Sequence, residues 1–256
     1  GGGTRNGPKE IIKASHQVEL FDEELNCEPY KKIGIKTIKP FKINKNINKA
    51  INQIAKINKK ILDSKIFPIT LGGEHSITPG CIKPFAKKYK NLTLLHFDAH
   101  ADLRESYAGE KFSHASAIKR CIDHKNISVI SFGIRNISTE EIPILNKNKK
   151  RINVYWAKDK KKWNLKKFKK QIKNKVVYIT FDVDGFDSSV MPATGTPEPG
   201  GIFWDEALEI IRIACKNSRI VGADVNELAP IKGFNSYNFL VAKLVYKILS
   251  YKFLLK

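Results

Sequence analysis

Cysteine is scarce in this 256-residue chain. Cys27, Cys81, Cys121 and Cys215 lie far apart with no CxxC pair. That excludes a disulfide framework and zinc-finger spacing, and they are read as free thiols in a reducing compartment. No apolar run is long enough to span a membrane. The richest, Tyr237 to Leu255, is interrupted by Lys243, Lys247 and Lys252 and is expected to be a packed helix. The N-terminal stretch is rich in Gly, Asn and Lys and has no apolar core of a secretory signal. With no internal repeat and no long linker, one domain over 1–256 and a cytoplasmic location are expected.

Acids are also outnumbered: 25 Asp and Glu against 46 Lys and Arg give a net charge of +21. The segment from Lys147 to Lys175 alone carries fourteen Lys or Arg and a single acid, Asp159. Such a run could bind nucleic acid or an anionic membrane. The same segment spaces Leu165, Phe168 and Ile172 as one face of an amphipathic helix. Lys, Asn and Ile are abundant throughout the chain, so the lysines read more simply as a solvated face. A nucleic-acid partner is therefore not expected, and neither is a membrane.

Apolar runs alternate between two periods. From Asn46 to Ser64, Ile47, Ala50, Ile51, Ile54, Ile61 and Leu62 share one face of a helix of about five turns. Strand-like runs follow at Ile66–Leu71, Leu92–Phe97, Ile127–Ile134, Asn153–Trp156, Val176–Phe181 and Arg219–Val225. Helices are expected after Pro79 to about Lys90, over Asp205–Lys216 and at the C-terminus. Near-continuous apolar strands alternating with helices predict a mainly parallel sheet with helices on both faces, a three-layer αβα architecture.

Four of these strands end in acids or histidine. Leu71 leads into Gly72-Gly73-Glu74-His75-Ser76. Phe97 leads into Asp98-Ala99-His100-Ala101-Asp102. Phe181 leads into Asp182-Val183-Asp184, and the Ala223–Val225 run leads past Asn226 to Glu227. Open parallel sheets bind ligands at the carboxyl ends of their strands, so the four clusters are expected to meet on one rim. In the extended run Asp98 to Asp102, alternate side chains point the same way. So many carboxylates in one place are costly unless cations neutralise them. Asp98, Asp102, Asp182 and Asp184 supply four negative charges, which two divalent cations balance, and His75 and His100 add neutral donors. Mixed oxygen and nitrogen ligands without thiolate favour Mn²⁺. Two metals about 3.5–4 Å apart can activate water for hydrolysis at neutral pH.

These residues resemble the signatures of the ureohydrolases, the arginase/agmatinase family of dimanganese enzymes. The matching segments are Gly72–Ser76, Phe97–Asp102, and Thr180–Asp184 together with Pro192–Gly201, in the family's order. The likeness runs from Gly7-Pro8 to the C-terminal helix. It implies that His75 and Asp102 complete one metal's ligands and that His100 and Asp184 complete the other's. Asp98 and Asp182 would bridge both Mn²⁺ ions. Asp102 would also accept a hydrogen bond from the bridging hydroxide that attacks the guanidinium carbon. By the same likeness His114, in Ser113-His114-Ala115-Ser116, is the proton shuttle that also meets substrate, and Glu227 is the acid that grips the guanidinium. His96 is read as packing behind the ligands; His16 and His124 receive no role. A homotrimer or homohexamer is implied.

The segment Asp102–His114 is short, as in the agmatinase branch, and lacks the longer Asn/Thr/Ser-rich loop with which arginases read an amino acid's α-groups. Agmatine, cleaved to putrescine and urea, is therefore the expected substrate. The alternatives are another guanidino substrate (arginine or guanidinobutyrate), or a basic nucleic-acid-binding protein with a degenerate site. Two departures stand out. Thr180 replaces a more usual Ser, and the strand that family members carry ahead of the turn at Gly1–Gly7 is expected to be missing here.

Overall fold

The computed structural model describes residues 3–255. Its core is one six-stranded sheet: β1 (Ile69–Leu71), β2 (Leu92–Phe97), β3 (Ile127–Phe132), β4 (Ile152–Tyr155), β5 (Val176–Asp182) and β6 (Arg219–Asn226). The expectation was a mainly parallel sheet; every pairing among these strands is parallel, in the order β1-β6-β5-β2-β3-β4.

Side-chain alternation explains the layers. In β2, Leu95 and Phe97 face one way and Leu92 and Leu94 the other, and in β5 Ile179 and Tyr178 divide in the same manner. Each strand thus feeds two cores, which need a helical layer apiece. The first core is closed by α1 (Gly7–Ser15), α7 (Leu165–Ile172), α8 (Trp204–Asn217) and α9 (Asn235–Leu254). The second is closed by α3 (Ile47–Asp63), α4 (Thr78–Lys88) and α5 (Ala117–Ile122). Short helices α2 (Pro29–Ile33) and α6 (Glu141–Lys147) complete the set.

Several boundaries departed from expectation for local reasons. The first strand begins at Ile69 rather than Ile66, because Pro68 has no N–H for the ladder. Its carbonyl still accepts from Ala223 N at 3.0 Å, while Ile66 is 62% exposed. The segment ahead of α1 is a helical turn, Thr4–Asn6, and no strand precedes it among the described residues. In the lysine-rich segment, Phe168 and Ile172 of α7 are fully buried, whereas Lys166, Lys167, Lys169 and Lys170 are exposed. That is the amphipathic pattern expected from the spacing. No helix of the described residues is long and apolar enough to cross a membrane.

The order of the sheet places the site. The chain reaches β3 and β4 on one side of β2, then crosses back to add β5 and β6 on the other side. The direction of winding reverses between β2 and β5, and the crevice above that pair is where such sheets bind ligands. The four strands singled out by their acidic ends are the four contiguous strands β1, β6, β5 and β2.

Candidate metal centre

Asp182 is the last residue of β5 and Asp98 follows β2 directly, so parallel register brings both to one rim. Asp184 sits in the turn Val183–Gly185, fixed by a bond from its N–H to Asp182 Oδ1 at 2.9 Å. The turn can lie this close only because residue 185 is glycine. A Cβ there would meet Asp98 N at 2.8 Å. Asp102 and Glu227 have φ of +52° and +65°. This left-handed backbone costs a non-glycine residue about 1–3 kcal/mol and persists where surrounding structure enforces it. Here that structure includes the bond from Glu227 N to Gly73 O at 2.8 Å.

The side chains converge. His75 Nδ1 lies 3.0 Å from Asp98 Oδ2, 3.0 Å from Asp102 Oδ2 and 3.5 Å from Asp182 Oδ2. His100 Nδ1 lies 3.0 Å from Asp184 Oδ2 and 3.5 Å from Asp98 Oδ1. Asp98 therefore faces both imidazoles, one through each oxygen. All four aspartates and His75 are buried, and His100 is partly exposed.

His75 Nδ1 makes no hydrogen bond despite its burial. An orphaned nitrogen among carboxylate oxygens is what a cation ligand looks like, so the residues present fit a metal pair. Two overlapping groups offer donors, His75 with His96 and Asp98, and Asp98 with His100 and Asp184. His96 already has partners on both ring nitrogens, Ser131 Oγ at 3.0 Å and Asp98 Oδ2 at 2.9 Å. It holds Asp98 in place from behind.

Crowding shapes the electrostatics. Burial, then the neighbouring charges of Asp184 and Asp98, holds the Asp182 carboxyl well above its usual range. Burial and Asp98 push Asp102 up to about 7. Asp98 goes the other way: burial would raise it, but the close imidazoles of His100, His75 and His96 hold it well below. For His100, burial is outweighed by bonds to Asp184 and Asp98, which raise it to about 11. Without metal, His100 therefore keeps its proton between pH 6 and 8, and Asp102 gains one below about 7. A cation must displace these protons. Its apparent affinity is thus expected to fall by about tenfold per pH unit for each proton released, more steeply below pH 7. Mn²⁺ titrations at several pH values check this; an affinity that does not change with pH would contradict it.

Glu227 stands next to the cluster. Its Oε1 accepts from His75 N at 2.6 Å, and burial raises its carboxyl to about 8. His114 lies differently. It opens the turn His114–Ser116, which packs against His75–Ile77, and its ring is exposed and meets Tyr107 edge-on at 5.5 Å. It makes no contact with the aspartates among the described ion pairs.

Sequence reading missed the groups that support this cluster. Asp224, fully buried within β6, accepts from Thr180 Oγ1 at 2.7 Å, Thr78 Oγ1 at 3.0 Å and Asn226 Nδ2 at 2.6 Å. Thr180 in turn lies 2.8 Å from His75 Nε2. With Thr180 donating to Asp224, its oxygen is left to accept the Nε2 proton, which turns the Nδ1 lone pair toward the carboxylates. The available signal was an acid in the otherwise apolar run Ile220–Val225. Arg135 was also missed. Its Nη2 donates to the carbonyls of Asp184 at 2.8 Å, Phe186 at 3.0 Å and Glu198 at 2.7 Å, tying two loops together.

The model of the arginase family matches residues 1–250. This chain belongs to the arginase family. Members of this family are binuclear metal enzymes that hydrolyse guanidino C–N bonds, and the chain is a hydrolase of that kind. Among its relatives, an agmatinase of Bacillus anthracis is 37% identical over 244 residues, 90% of this chain and 78% of that one. An N(1)-aminopropylagmatine ureohydrolase of Synechocystis sp. is 32% identical over 259 residues, 97% of this chain and 83% of that one. The crystal structure of the agmatine ureohydrolase of Thermoplasma volcanium superposes with a TM-score of 0.86 at 27% identity, over 98% of this chain and 84% of that one. The αβα arrangement is thus the fold of this family.

Proposed function

We propose that the chain, as one catalytic domain over 1–256, hydrolyses agmatine to putrescine and urea with two Mn²⁺ ions. The observation that carries this reading is Glu227 bonded through Oε1 to His75 N at 2.6 Å, which sets a guanidinium acceptor against a metal ligand. His75, Asp102, Asp98 and Asp182 would hold one cation, and His100, Asp184, Asp98 and Asp182 would hold the other. When bound, such a pair would supply an activated water at neutral pH.

Each protein group has a task. Glu227 orients the guanidinium by charge-assisted hydrogen bonds, presenting its carbon for attack. Asp102 accepts a hydrogen bond from the attacking water. His114 hands a proton to the departing amine, so the C–N bond breaks to give neutral urea and the amine. Agmatine is favoured over arginine because the Asp102–His114 segment is too short to carry a reader for an α-carboxylate.

Urea release measured across agmatine, arginine and guanidinobutyrate, with metal content determined on the same sample, tests the proposal. Agmatine is expected to be the best substrate, with activity lost to chelator and restored by Mn²⁺. Urea from arginine but not from agmatine would instead assign an arginase-type specificity. Turnover of guanidinobutyrate alone would assign the third branch.

A further inference from the structure

The two histidines turned toward the carboxylates are supported differently. Both aim Nδ1 at the acids. His75 Nε2 is hydrogen-bonded to Thr180, which in turn donates to a buried carboxylate, Asp224. His100 has no such buried chain, and its Nε2 points outward, toward the loop that carries Glu198. Glu198 Oε1 lies 4.0 Å from that nitrogen.

The carboxylate is there by construction. Two consecutive residues after β3 fix it: Arg135 Nη2 donates to the Glu198 carbonyl at 2.7 Å, and Asn136 Nδ2 donates to Glu198 Oε1 at 2.6 Å. Asn136 is itself bonded on either side of His100, from its N–H to Ala99 O at 2.9 Å and from Ala101 N to its carbonyl at 3.3 Å. Glu198 is also flanked by Pro197 and Pro199, which restrict the backbone that presents it. Imidazole and carboxylate thus hang from one short ladder, at ion-pair distance. Glu198 is about one-third exposed, so a side-chain torsion can close the remaining gap.

We propose that Glu198 is the positioning residue of His100, accepting its Nε2 proton in a hydrogen bond while Nδ1 holds a cation. A carboxylate there fixes the tautomer, stops the exposed ring from rotating and strengthens the donor nitrogen. Asn136 holds the carboxylate in turn. This inference rests on the two-metal reading of the site.

Glu198→Gln tests it. Glutamine keeps the length and can still accept from Asn136, but it removes the charge that polarises the imidazole. In calorimetric titration of the metal-stripped full chain with Mn²⁺, the variant is expected to bind the ion held by His100 about 10–100-fold less tightly. The melting temperature of the stripped protein is expected to stay unchanged. Asn136→Ala is expected to give a smaller loss, and the double variant one that is less than additive, because both act through the same imidazole. Wild-type affinity for both ions in Glu198→Gln would overturn the proposal. So would unchanged metal binding with a raised KM for agmatine, which would make Glu198 a substrate contact. A wild-type chain that takes up no divalent cation would bring down this inference and the two-metal reading together, whereas failure in the variant alone brings down only this one.

Discussion

Asp182→Asn is expected to lower urea release by roughly a thousandfold while the protein stays folded. Asp182 ends β5 between β6 and β2, nearly fully buried, with Oδ1 taking the Asp184 N–H and Oδ2 3.5 Å from His75 Nδ1. Asparagine can still accept from Asp184, so the turn survives. The carboxylate it replaces is costly without metal, since burial, Asp184 and Asp98 all disfavour its charge. The stripped variant is therefore expected to melt at or above the wild-type temperature, and the added stability that Mn²⁺ confers is expected to shrink. The activity loss follows from the proposed sharing of this group by both cations. Metal activation is worth several kcal/mol, and each 1.36 kcal/mol is a factor of ten in rate. Metal analysis should find fewer than two ions per chain. Wild-type turnover with a full complement of metal would remove Asp182 from the bridging role.

His114→Ala is expected to separate chemistry from metal binding. The imidazole lies outside the cluster, on an exposed turn that packs against the His75 turn, with Tyr107 across one edge. Its removal breaks no contact to the four aspartates, so metal content and stability should match the wild type. If it delivers the proton to the leaving amine, kcat should fall by roughly 10²–10⁴-fold. An added small imidazole should restore part of the rate. Equal kcat in the variant would reduce His114 to a surface residue of the loop.

The sequence carried the architecture and the inner cluster for one reason: both are written in local pattern. Period-two apolar runs followed by acids place a side chain at the carboxyl end of a strand, and parallel strands share that end. Leu92–Phe97 and its Asp98–Asp102 extension were therefore readable as an element and a site together. Elements with weak periodicity, such as α2, α5 and α6, were not legible, because packing rather than pattern holds five to seven residues in a helix.

The strand-end pattern already singled out Asp98, Asp102, Asp182, Asp184, His75 and His100. Their proposed division between two metals came from likeness to a known family. Tertiary structure alone decided what stands behind the cluster. Asp224 reaches His75 through Thr180, Arg135 ties the Asp184 and Glu198 loops, and Glu198 faces the outer side of His100. These partners are separated by tens of residues and leave no spacing to read. Only the sheet order β1-β6-β5-β2-β3-β4, which sets β1 beside β6 and β2 beside β5, brings them together.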